Sequence, residues 1–204
     1  MKVLVIDYEM GNLGSVKRSF EECGAEVLIS EDPREIKSAT HVVLPGVGAF
    51  HDGMSNLRRK NWIPAIEEAI KDGVPVLGIC LGMQLLASTG SEGGETTGLG
   101  LIPGRVERLA SQSERIPHVG WNEVSQSRPS SLLKTIPNGT DFYFVHSYHF
   151  IPRDPAHILS KTPYCGEFVS AIESKNVFGV QFHPEKSSKP GFQLFRNFLN
   201  LTTC

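Results

Sequence analysis

The chain has 204 residues, with 20 Lys+Arg against 22 Asp+Glu and a formal net charge of −2. That balance excludes function by electrostatic capture of nucleic acid or an anionic membrane surface. Hydrophobic residues at 40% and charged residues at 21% exclude a disordered chain. No run nears the roughly 20 apolar residues a membrane helix needs.

The length suits a single domain over 1–204, with no room for a large catalytic barrel beside a second active site. The start, MKVLVIDYEM, lacks a signal peptide's long apolar region and cleavage site. It reads as the first strand of a cytoplasmic protein.

In chain order, Val3–Asp7 is predicted as a buried strand, followed by a Gly11-Asn12 turn and a helix over Leu13–Cys23 with Val16, Phe20 and Cys23 on one face. A second strand is expected at Glu26–Ile29, then a short helical turn with Asp32 as N-cap before Pro33. His41–Leu44 is the third strand, closed by Pro45-Gly46-Val47-Gly48. A helical pattern over 54–71 is interrupted near Pro64. Val74–Ile79 is a fourth strand, with a helix over Leu81–Ala87 directly behind it. This alternation predicts right-handed βαβ units and a mostly parallel sheet. After a turn-rich stretch over 90–104, short strands are expected at Val106–Arg108, Trp121–Val124, Asp141–Val145, Tyr148–Ile151, Phe168–Glu173 and Val177–Gln181. Their short linkers predict antiparallel pairing. A closing helix over Gly191–Leu201 carries an apolar stripe that reads as core.

The four cysteines, at 23, 80, 165 and 204, form no CxxC and no zinc spacing, so no metal or cofactor is expected. Cys23, Cys165 and Cys204 read as packing or surface thiols. Cys80 differs. It stands where an apolar strand meets a helix, in Gly78-Ile79-Cys80-Leu81-Gly82. This is the G-x-nucleophile-x-G spacing of a nucleophile elbow, whose tight turn needs glycines on both sides. A helix N-terminus favours the thiolate, and the Leu81 N–H is a natural oxyanion donor. A thiolate also needs a proton carrier. Gln181-Phe182-His183-Pro184-Glu185 follows another apolar strand, so His183 can reach the same sheet edge, with Glu185 to hold its tautomer. The order nucleophile, His, acid differs from that of the α/β hydrolases. The second oxyanion donor is expected from the glycine-containing loop Leu44-Pro45-Gly46-Val47-Gly48 at the end of the third strand. There is no GxGxxG after the first strand and no GxxxxGK[ST], which argues against a nucleotide loop.

With Pro-Gly-Val-Gly at 45–48, Gly-Ile-Cys-Leu-Gly-Met-Gln at 78–84 and Gln-Phe-His-Pro-Glu-Lys at 181–186, the chain resembles the class I (triad) glutamine amidotransferases. Within them it is similar to the glutaminase subunits of imidazole glycerol phosphate synthases, through Ile-Asp-Tyr-Glu-Met-Gly-Asn-Leu at 6–13, His-Val-Gly-Trp-Asn at 118–122 and Tyr-Phe-Val-His-Ser-Tyr at 143–148. The resemblance runs over about residues 2–200. It implies a three-layer α/β fold, with a mostly parallel central sheet, flanking helices and a smaller antiparallel sheet. It implies L-glutamine hydrolysis by Cys80, His183 and Glu185. Val47, Gly48 and Leu81 would supply oxyanion donors, and Gly48, Gln84, Glu92, Ser147 and Tyr148 would contact substrate. It further implies a heterodimer with a (β/α)8-barrel cyclase that consumes the ammonia, through Asn12, Trp121, Tyr143 and Lys186. The alternatives left open are a paralogous glutaminase serving a sugar amidotransferase, a non-catalytic ammonia-channel scaffold, and a cysteine hydrolase or peptidase of similar fold. Two departures stand out: Glu9 where a small residue is expected in a turn, and a polar stretch at 112–115.

Overall fold

Apolar, β-branched runs form the parallel strands. β1 (Lys2–Ile6), β2 (Glu26–Ser30), β3 (His41–Leu44) and β4 (Val76–Ile79) alternate with α1 (Leu13–Glu22), a 3-10 turn over Pro33–Ser38, α2 (Phe50–Arg59) and α3 (Trp62–Lys71). This is a computed structural model that describes residues 1–111 and 113–202, so the expectations for Cys204 and for position 112 lie outside the described residues. Asp32 caps the 3-10 turn, its Oδ1 accepting from the Arg34 N–H at 3.0 Å. The helical break expected near Pro64 falls earlier, at Lys60-Asn61, where Asn61 takes φ 57°. Pro64 sits in the first turn of α3, where its missing N–H costs no helix bond.

α4 (Leu81–Leu85) follows β4, and two-residue strands β5 (Thr89–Gly90) and β6 (Thr96–Thr97) occupy the stretch read as turns. Then come β7 (Gly104–Arg108), β8 (His118–Gln126), β9 (Thr140–His146), β10 (Tyr148–Pro152), β11 (Ile158–Thr162), β12 (Phe168–Ser174), β13 (Val177–Val180) and α5 (Ser188–Leu199). β11 was not predicted, since its sequence ILSKT carries only two apolar residues.

The large sheet has nine strands in the order β2-β1-β3-β4-β13-β12-β11-β8-β9. It is α/β, with a smaller second sheet β10-β7-β5-β6 as expected, although that sheet is not wholly antiparallel, because β5 pairs with β7 in parallel. The large sheet is mixed rather than mostly parallel. The pairs from β2 to β13 are parallel, and the pairs from β13 to β9 are antiparallel. The reason is that β13 returns beside β4 after the hairpin-like second half has paired onto its far side.

Strand alternation builds the layers. Val3 and Val5 of β1 pack on one face with Phe20 of α1 and Leu194, Phe195 and Phe198 of α5. Leu4 and Ile6 pack on the other with Met54 and Leu57 of α2 and Trp62 and Ile66 of α3. Each fully buried aromatic or branched side chain contributes about 1.5–3 kcal/mol by leaving water. No helix among the described residues is long and apolar enough to cross a membrane.

Candidate active site

β4 and β13 are parallel neighbours in register, with Ile79 beside Val180 and Gly78 beside Gly179. They therefore end at the same edge of the sheet. Cys80 comes one residue after β4, and its N–H donates to the Val180 carbonyl at 2.8 Å. His183 comes three residues after β13. The register, not the chain, thus spans the separation between the two groups.

Cys80 adopts φ 52° and ψ −108°, which no unstrained L-residue prefers. The flanking glycines permit it. A Cβ on Gly82 would lie 1.7 Å from the Leu44 carbonyl oxygen, and one on Gly78 would lie 2.7 Å from the Gly82 backbone. Cys80 is the N-cap of α4, and its side chain lies between two polar neighbours. The Gln181 Nε2 is 3.6 Å from Sγ, and the Val145 carbonyl 3.8 Å.

The His183 and Glu185 side chains are each 3% exposed, with Nδ1 and Oε1 2.7 Å apart. The carboxylate therefore holds the proton on Nδ1 and leaves Nε2 buried without a hydrogen-bond partner among the described residues. Burial by itself would lower His183. The negative charge at Cys80, and after it the Glu185 carboxylate, outweigh burial and push the imidazole up to about 10. Ser187 fixes this segment against β9: its hydroxyl donates to the His183 carbonyl at 2.6 Å and accepts from the Tyr143 N–H at 3.1 Å.

The loop after β3 closes over the elbow. The Leu81 N–H, expected to face an oxyanion, donates to the Gly46 carbonyl at 3.3 Å. Tyr8 is fully buried, and its hydroxyl donates to the Pro45 carbonyl at 2.7 Å. Burial, reinforced by the charge at Cys80, pushes the phenol far up, so it stays a neutral donor. Gly48 takes φ 118°, a backbone open only to glycine at low cost.

A cavity of about 570 Å³ lies at this edge. Val47, Gly48, Cys80, Leu81, Gln84, Glu92, Ser147, Tyr148 and Lys186 all line it, so the structure brings together every substrate and oxyanion residue named from sequence. Glu92 is half-buried and anchored: its Oε2 accepts the Phe50 N–H at the start of α2 at 2.9 Å. Gln84 is almost fully buried, with Nε2 donating to the Tyr148 carbonyl and to Gln181 Oε1. Of the four residues named for a partner, Trp121 is 52% exposed with its ring against Tyr143, and the Lys186 ammonium sits 5.6 Å from the Tyr143 ring. Asn12 is exposed at the start of α1, with no capping hydrogen bond from its side chain. Val119 and Val47 are also exposed.

Among the residues near the site that were not singled out from sequence are Val145, His146 and Gln181. Gln181 was legible only as the first letter of the block around His183. His146 pairs with His118 through Nε2 and Nδ1 at 3.1 Å, and its own Nδ1 faces the Tyr148 carbonyl at 2.8 Å. Burial lowers both, to about 4 for His118 and about 3 for His146, so both are neutral. Glu9 finds its role on the surface, where it pairs with Arg59 and Lys60. Among the described residues no group of three His, Cys, Asp or Glu side chains is placed to hold a metal ion.

By fold and site the protein is an α/β enzyme arranged for acyl transfer through a thiol. The family described as Glutamine amidotransferase class-I matches residues 4–201, and the chain belongs to it. Proteins named Imidazole glycerol phosphate synthase subunit HisH are similar over nearly their whole length. That of Moorella thermoacetica is 51% identical, across 96% of this chain and 93% of the relative. That of Aquifex aeolicus is 47% identical, across 97% and 96%. Among solved structures, PurLQS from Thermotoga maritima superposes with a TM-score of 0.78 at 20% identity, covering 98% of this chain and 97% of that one. A crystal structure of a glutamine amidotransferase superposes with a TM-score of 0.76 at 18% identity, covering 96% of each chain. At such identities the structural likeness concerns the fold.

Proposed function

We propose that this chain is the glutaminase subunit of an imidazole glycerol phosphate synthase, with Cys80, His183 and Glu185 as its catalytic triad. It hydrolyses L-glutamine to glutamate and ammonia, and hands the ammonia to a (β/α)8-barrel cyclase that forms imidazole glycerol phosphate and an aminoimidazole carboxamide ribotide in histidine biosynthesis. The observation that carries the chemistry is that His183, on the strand paired with that of Cys80 and electrostatically coupled to it, has Glu185 on Nδ1 and keeps Nε2 buried without a hydrogen-bond partner among the described residues.

The Cys80 thiolate attacks the side-chain carboxamide carbon, and the carbonyl oxygen becomes an oxyanion. His183 donates its Nε2 proton to the nitrogen as the C–N bond breaks, which releases ammonia and leaves a glutamyl thioester. Water then attacks the thioester, giving its proton back to Nε2. The C–S bond breaks and glutamate leaves. Glu185 keeps the imidazole in the tautomer that both steps need. Glu92 suits the substrate's ammonium group, and the Ser147-Tyr148 backbone suits its carboxylate.

Leu81 can serve the oxyanion only after the Gly46–Val47 peptide turns its carbonyl away. Free ammonia protonates in water and stops being a nucleophile, so hydrolysis is useful only when coupled. Exposed Trp121 against half-buried Tyr143, with Lys186 next to the triad acid, supports docking of the cyclase there.

The test is glutamine turnover with the chain alone, with the cyclase, and with the cyclase holding its acceptor ligand. Slow turnover alone and faster turnover with the loaded partner are expected. Full turnover without a partner would sink the coupling. Unchanged turnover in Cys80→Ala would sink the enzyme reading.

A further inference from the structure

Cys80 has a neighbour that the triad does not use. Gln181 is fully buried at the end of β13, and its side-chain Nε2 lies 3.6 Å from Cys80 Sγ. We propose that Gln181 is a further catalytic residue, whose side-chain N–H holds the charge of the Cys80 thiolate before attack and after deacylation. The proposal deepens the glutaminase reading, because it rests on Cys80 being the nucleophile.

The direction of the hydrogen bond follows from its surroundings. The Tyr148 carbonyl can only accept, so Gln84 must turn its Nε2 toward it at 2.9 Å. The second proton of that amide meets Gln181 Oε1 at 3.1 Å. Gln181 Oε1 is thereby held as an acceptor, and its own Nε2 is the atom left facing sulfur. Flipping Gln181 would set an N–H₂ against the Gln84 N–H₂ and an oxygen against the sulfur, where Gln181 is fully and Gln84 almost fully buried. The neutral His146 fixes the same carbonyl from the other side through its Nδ1 at 2.8 Å. The Tyr148 carbonyl thus accepts from both His146 and Gln84, Gln84 gives its second proton to Gln181 Oε1, and that assignment leaves a donor on the reacting atom.

The sulfur's other neighbour, the Val145 carbonyl at 3.8 Å, has only lone pairs to offer. It suits the S–H of the neutral thiol and repels the anion. The two contacts thus serve two protonation states, and on ionisation Gln181 adds a fixed neutral donor to the sulfur beside the charged His183. A hydrogen bond to a charged acceptor in a water-poor site is worth more than one to a neutral group.

The experiment measures alkylation of Cys80 by iodoacetamide at neutral pH, a rate that follows the thiolate and needs no glutamine. Cys80→Ala supplies the background rate. Gln181→Met keeps the volume and removes the donor, and Gln181→Glu keeps the shape and the acceptor for Gln84 while it sets an oxygen against sulfur. Alkylation about tenfold slower in both, with melting curves like the parent's, is the expected result. Alkylation at the parent rate in either folded variant overturns the proposal. If Gln181→Met does not fold, Gln181→Glu decides. Slowed alkylation in a protein that never hydrolyses glutamine would keep this inference and overturn the glutaminase reading. Rapid glutamine turnover with unslowed alkylation would do the reverse.

Discussion

The parallel and antiparallel halves of the nine-stranded sheet treat histidine in opposite ways. At the edge of the parallel half, His183 is buried beside the Cys80 sulfur and the Glu185 carboxylate, and it is held charged up to about pH 10. In the antiparallel half, His118 and His146 are buried against each other and against rings such as Phe144 and Phe168, and they stay neutral down to about 4 and 3. Burial is common to all three and always opposes the charge. What differs is whether an anion waits in the pocket. The parallel half ends its strands on one edge and gathers reactive groups there, whereas the antiparallel half supplies a wall and an orienting network.

The contrast can be broken from either side. The largest effect is expected from Cys80→Ala, which removes the reactive group and lowers glutamine hydrolysis by at least about 10⁴-fold in steady-state assays. Next comes Glu185→Gln, which leaves the fold but frees the His183 tautomer. A loss of about 10³-fold in kcat with little change in KM is expected. Gly82→Ala tests the elbow sterically. Its Cβ would meet the Leu44 carbonyl, and a loss of at least about 3 kcal/mol in denaturant unfolding is expected.

The pH dependence of stability sharpens the comparison more gently. Because the folded-state value of His183 is raised above 6.5, its contribution is complete below pH 6.5 and is lost as pH rises through about 10. Because those of His118 and His146 are lowered, their contribution is complete above pH 6.5 and is lost as pH falls through about 4 and then about 3. Thermal melts of His183→Gln should flatten the alkaline limb alone and spare the acid limb. The smallest effect on stability is expected from exposed Trp121→Ala, less than about 0.5 kcal/mol, while stimulation by the cyclase falls about tenfold. Unaltered stimulation would move the docking face elsewhere.

Much of the parallel half was legible because its strands are buried on both faces. Such strands read as continuous apolar runs, so β1, β3 and β4 fell within two residues of their predicted starts, and β3 matched at both ends. The elbow was legible for a different reason: a turn that sharp has no space for a Cβ two residues either side of Cys80, so its glycines stand at fixed offsets. In the antiparallel half the signal was thinner. β8 alternates buried and open positions, and its first three residues were missed, while β11 went unseen with polar Ser160 and Thr162 facing inward. Polar residues inside a sheet hide from pattern reading, since only their partners reveal that they are buried.

Residue types and spacing determined Cys80, His183 and Glu185 as the proposed triad, and the glycines that let Cys80 stand where it does, because each is a local chemical or steric requirement. Three things were decided by the tertiary structure alone. The sheet is mixed, because β13 returns between β4 and β12. The Leu81 N–H is engaged by Gly46, because a loop from another strand folds over the elbow. Gln181 points a donor at sulfur, because the hydrogen bonds of Gln84 to the Tyr148 carbonyl and to Gln181 Oε1 leave it no other orientation. Each depends on groups far apart in the chain, and their directions exist only once the strands have paired.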